Sequence, residues 1–132
     1  MRVLALDHGA ARCGCAISDP SGTLASPLPV IERPDTKKGL ARIATLATER
    51  GADRIVVGLP LTLAGDEGAQ AGEARTFAER LARKVPVPVE LHDERMTTRL
   101  AERIGGESDA DSRAAAHLLE SYLARARAGS PE

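Results

Sequence analysis

Apolar and polar positions change rhythm along the chain. Val3 to Leu6 is an unbroken apolar run of buried-strand type, closed by a turn signal at Asp7 to Ala10. Arg12 to Ser18 reads as a second strand, and Gly14 in its middle predicts a close backbone approach. A second turn, Asp19 to Gly22, leads into a third strand over Thr23 to Ile31, with Pro27 and Pro29 placing part of it at an edge or end. Three strands on short turns make an antiparallel meander. Helical spacing then takes over at Thr36 to Arg50, where Leu40, Ile43, Leu46 and Ala47 share a face and Gly51 supplies the stop. Arg54 to Leu59 suits a buried parallel strand. Gly68 to Lys84 is helical, Val87 to Asp93 a further strand, Met96 to Ile104 a short helix, and Asp111 to Arg127 the last helix. The order βββαβαβα, with that short extra helix before the last, predicts an α/β mixed sheet with helices on both faces. In such sheets sites gather at the carboxyl ends of the parallel strands.

Acidic residues fall at those ends. Asp7 continues the face of Val3 and Ala5, where a carboxylate is costly unless something pairs with it. An Asx turn explains Asp-x-Gly equally well. Asp93 and Glu94 lie on opposite faces of the fifth strand's end, and a helix N-cap at Asp93 or a surface ion pair with Arg95 accounts for them equally simply. Asp111 heads a stripe through Ala115, Leu118 and Tyr122, although Ser108 and Asp111 also fit a capping box. Carboxylates gathered at one end of a sheet repel, and hard, oxygen-preferring Mg²⁺ or Mn²⁺ would neutralise them. Two such ions can activate water and stabilise the leaving oxygen of a phosphodiester.

Composition narrows the choice. With 132 residues the chain forms one domain, taken as residues 1–127 with a frayed tail at 128–132. One Phe, one Tyr and no Trp exclude a binder that stacks bases on aromatic platforms. A net charge of −1 leaves no global field for a polyanion, so contacts to phosphate must be local. Arginine, the better phosphate fork, outnumbers lysine 15 to 3. His8 and Arg12 flank the first turn, and Arg95 and Arg99 stand one helical turn apart. All four are candidates for the phosphate backbone, with solvated or packed positions as the alternative. Cys13 and Cys15 read as buried thiols without zinc spacing. His92 and His117 read as packing residues, and the loop LTLAGDEG after Pro60 as a mobile or substrate-facing connection. No run is long and apolar enough to span a bilayer, which points to the cytoplasm.

Four ordered segments, LALDHGAARCGCAISD, RIVVGLPLTLAGDEG, VELHDERMTT and DADSRAAAHLLESYL, resemble the YqgF/RuvX family of RNase H-like nucleases from Arg2 to about Leu123. The resemblance implies an RNase H-like fold and divalent-metal hydrolysis of phosphodiesters, with two Mg²⁺ or Mn²⁺ ions. It selects Asp7, Glu94 and Asp111 as the metal-binding catalytic acids. It also implies nucleic-acid substrates: the precursor of 16S rRNA, trimmed at its 5′ end in ribosome biogenesis, or branched DNA such as Holliday junctions. A non-catalytic RNA-binding or ribosome-assembly module of the same fold is the rival reading. Either a monomer or a homodimer is compatible with it.

Overall fold

The computed structural model describes residues 1–62, 64–94 and 110–128. Its elements are β1 (Val3–His8), β2 (Arg12–Ser18), β3 (Ala25–Glu32), α1 (Lys37–Glu49), β4 (Arg54–Leu59), α2 (Ala69–Ala82), β5 (Val89–Asp93) and α3 (Ala110–Ala128). The short helix expected over Met96 to Ile104, with Arg95 and Arg99, lies outside the described residues, as does the tail beyond Ala128. The order βββαβαβα is as read from the sequence. Among the described residues no helix is long and apolar enough to cross a membrane.

The five strands form one sheet in the order β3-β2-β1-β4-β5. β1, β2 and β3 pair antiparallel, whereas β4 and β5 run parallel to β1. β1 is thus the strand at which the sheet changes from antiparallel to parallel, where an open α/β sheet places its ligands. Thr36 caps α1 by accepting from the Gly39 N–H at 2.9 Å, and Gly51 at φ 65° ends that segment, as expected of a left-handed glycine stop.

Strand alternation divides the core in two. Leu4, Leu6, Cys13, Cys15, Ile17, Ile55 and Val57 pack with Leu40 and Ile43 of α1 and Phe77 and Leu81 of α2. Val3, Ala5, Ala16 and Val56 pack on the opposite face with Ala115, Leu118, Leu119 and Leu123 of α3. The sheet residues facing α3 are the smaller ones, so this helix lies close against the strands. Both cysteines are buried and free, as expected.

One boundary differs from the sequence reading in a way that matters. β1 does not break at Leu6: Asp7 pairs with Gly14 and His8 with Cys13, so both are strand residues and the turn is confined to residues 9–11. The antiparallel partner supplies ladder hydrogen bonds that outweigh the local turn preference of Asp-x-Gly. An Asx turn at Asp7 is thereby excluded.

Candidate active site

The carboxyl ends of β1 and β5 and the first turn of α3 meet on the α3 face of the sheet. Asp7 reaches that face by alternation from Val3 and Ala5. Glu94 reaches it because Glu90 and His92, on the same alternation, touch α3: the Tyr122 hydroxyl donates to Glu90 at 3.0 Å, and His92 Nε2 lies 3.0 Å from Ser121 Oγ. Asp93 falls on the other side of the strand. Asp111 is placed by its backbone, which presses onto Gly14 so closely that a Cβ there would strike the Asp111 carbonyl. The close approach expected at Gly14 is therefore to the start of α3.

Two of the three acids touch. The Asp7 and Glu94 side chains share a hydrogen bond in which Glu94 donates to the Asp7 carboxylate. Burial comes first in raising Asp7, to about 6, and the negative charge of Asp111 adds to it. Burial also leads in raising Glu94, to about 7, followed by the charge and hydrogen bond of Asp7. Near neutrality the pair holds about one proton between two half-buried carboxyls. The third acid is near enough to act on Asp7 through its charge, but its Oδ2 accepts from Arg12 Nε at 3.0 Å. No three His, Cys, Asp or Glu side chains among the described residues close around one point as a ready metal cage. The donor set still suits a hard divalent cation: oxygen only, half-buried, and carrying a proton that a cation would replace. For Asp111 to join the other two as a ligand, its carboxylate would have to turn from Arg12.

The other candidates separate. Arg12 stands beside the acids with its side chain 51% exposed, in a position to meet a phosphate. His8 does not join them. Its ring turns to the α1/α2 face, where it is 3% exposed, packs on Phe77 at 4.6 Å between centroids and lies 2.9 Å from Asp35. Arg95 and Arg99 are outside the described residues. The loop after Pro60 is tied down by a Leu61–Glu67 bridge and by Arg75 Nε donating to Glu67 at 2.8 Å.

Two contributors escaped sequence reasoning. Ser112 is buried, donates to the Leu28 carbonyl and accepts from Cys15 N–H at 3.4 Å, pinning the first turn of α3 to β2 and β3. A serine beside Asp111 on the buried side of a helix's first turn was the available signal. Gly58 lies directly under the Glu94 carboxyl. Its only sequence signal was a glycine inside an apolar strand.

The family model described as "RuvX: Holliday junction resolvase" matches residues 1–125. A protein of Mycolicibacterium paratuberculosis named "Putative pre-16S rRNA nuclease" is 43% identical over 141 aligned positions, covering 99% of this chain and 84% of the relative. A protein of the same name from Chloroflexus aurantiacus is 39% identical over 130 positions, covering 92% and 85%. Among solved structures, Thermus thermophilus RuvC in complex with a Holliday junction substrate superposes with a TM-score of 0.71 at 16% identity, covering 98% of this chain and 97% of that one. That likeness shows the RNase H-like fold.

Proposed function

We propose, from the premise that this chain belongs to the RuvX family, that Asp7, Glu94 and Asp111 are the catalytic carboxylates of a divalent-metal-dependent nuclease. The observation that carries the reading is the half-buried Asp7–Glu94 contact at the switch in the sheet, with Asp111 held over Gly14 beside it. Partly desolvated acids in mutual contact cost stability in a structure that does not use them, and such expense concentrates at functional sites.

Asp7, Glu94 and Asp111 would hold one or two Mg²⁺ or Mn²⁺ ions. Bound there, these supply Lewis-acid stabilisation of a phosphate oxygen and an acidified water. The chain's own residues do the rest. Asp7, fixed in a paired strand, gives the site a rigid centre. Glu94 carries a dissociable proton next to it. Arg12 offers a guanidinium to the phosphate backbone once Asp111 releases it, with Arg95 and Arg99 as further candidates.

The substrate proposed is precursor 16S rRNA, cut to mature its 5′ end in the cytoplasm, in line with the names of the two relatives. A second substrate, branched DNA, is favoured by the family's description and by the RuvC superposition. With a net charge of −1, affinity for either is modest and dependent on the metal. Cleavage of matched precursor RNA and four-way DNA junctions with Mn²⁺, against an Asp7→Asn control, tests both. Loss of cleavage in the control is expected, and the better substrate identifies the role. Equal cleavage by wild type and control overturns the site.

A further inference from the structure

Asp7 is flanked by glycine on both neighbouring strands. Gly14 is its direct partner on β2. On the other side β1 and β4 run in parallel register with Leu6 opposite Val57, so the next step brings Gly58 level with Asp7. Both glycines are buried, and both lie on the α3 face by alternation with Ala16 and Val56. Neither adopts positive φ, which among the described glycines is confined to Gly22, Gly51 and Gly65. Backbone conformation therefore does not demand glycine at either place. Space does. A Cβ on Gly14 would strike the carbonyl of Asp111 and come within 3.0 Å of the Ser112 nitrogen. A Cβ on Gly58 would strike Glu94 Oε2 and lie 2.9 Å from both Cγ and Cδ of the same side chain. One missing side chain on each flank of Asp7 thus makes room for each of the other two acids.

We infer that Gly14 and Gly58 are positioning residues that set the spacing of the three carboxylates, Gly14 by seating the first turn of α3 and Gly58 by letting the Glu94 carboxyl lie against Asp7. The inference rests on the metal-site reading above and adds the residues that fix its geometry. The two positions act through different atoms. At Gly14 the obstacle is backbone, so substitution must move a helix. At Gly58 it is the side chain of Glu94 from Cγ to Oε2, with no backbone atom in the way, so substitution moves the acid and leaves the fold in place.

Gly58 therefore gives the clean test. Mn²⁺ alone is titrated by calorimetry into wild type, Gly58→Ala, Glu94→Asp and the double variant, with thermal melts of each in chelator. Gly58→Ala should melt close to wild type yet bind Mn²⁺ at least about tenfold more weakly, the scale expected when a ligand's support is removed. Glu94→Asp should weaken binding in the parent but add little further loss in the Gly58→Ala background, because there the added methyl has already displaced the acid from the site. Wild-type affinity in Gly58→Ala, a large drop in its melting temperature, or a double variant whose loss is the full sum of the two single losses would each overturn the inference. A wild-type protein that takes up no Mn²⁺ instead removes the metal-site reading, and the inference with it.

Discussion

Arg12 Nε donates to Asp111 Oδ2 at 3.0 Å, so one of the three acids is already held by a cation of the protein itself. The two side chains are 51% and 39% exposed, and an ion pair so placed is worth under about 1 kcal/mol. That is weak enough for a divalent cation to displace and strong enough to measure. Arg12→Ala should therefore tighten Mn²⁺ binding by up to about fivefold at low salt, the factor equivalent to that pair energy. The same variant should raise KM for nucleic acid, since the guanidinium that leaves Asp111 is the one proposed to meet phosphate. Calorimetry and steady-state kinetics separate the two effects. Weaker binding of both metal and substrate would show Arg12 to be a support for Asp111 instead of a competitor.

Asp7→Asn should remove cleavage and, in chelator, stabilise the fold. The folded Asp7 carboxyl is raised from 3.8 to about 6, so the native state holds its proton more tightly than the unfolded chain does. Such a group lowers stability progressively as pH rises from about 4 to about 6, and the loss stays complete above that. Asparagine has no charge to bury. The variant should match wild type near pH 4 and gain on the order of 1–3 kcal/mol by pH 8, a rise of several degrees in Tm. Thermal melts across that range check it. A variant less stable than wild type at pH 8 would mean that the ionised Asp7 is well satisfied without metal.

Much of this site was legible along the chain, and the remainder depended on contacts between distant residues. The apolar run Arg54 to Leu59 announced a buried parallel strand because both its faces are covered, Ile55 and Val57 by α1 and α2 and Val56 by α3. Asp111 was legible as the head of the helix stripe that continues through Ala115 and Leu118. Asp7 was ambiguous because a turn and a strand end look alike locally; its pairing with Gly14 decided the matter. Alternation separated Asp93 from Glu94, but nothing local says which face α3 will cover. His8 was the misplaced expectation, and the period of two held the answer: it shares a face with Leu4 and Leu6, opposite to Asp7. Gly58 carries no local signal of its role, since the Glu94 carboxyl above it arrives from another strand.

Metal binding should release a proton. Glu94, raised to about 7, shares its proton with Asp7, and a cation can enter only as that proton leaves. Apparent Mn²⁺ affinity should accordingly rise with pH, by up to about tenfold per unit below pH 7, and level off above it. At pH 6, binding heats measured in buffers of different ionisation enthalpy should diverge by about one proton's worth, and at pH 8.5 they should converge. Buffer-independent heats at pH 6 would place the metal away from the Asp7–Glu94 pair.

The His8–Asp35 pair should prove structural. His8 Nε2 lies 3.0 and 2.9 Å from the two Asp35 carboxylate oxygens, and Arg80 Nη1 donates to the Asp35 backbone carbonyl at 2.6 Å. These contacts join the end of β1 to the segment before α1 and to α2, on the face of the sheet opposite Asp7. Asp35→Ala strips the buried imidazole of its partner, which costs about 1–3 kcal/mol for an unsatisfied buried polar group. The Arg80 contact survives, because it is made to the backbone. The expected outcome is a Tm several degrees lower with Mn²⁺ affinity and substrate KM within about twofold of wild type. A Tm left unchanged beside a large rise in KM would instead return His8 to the substrate-binding surface.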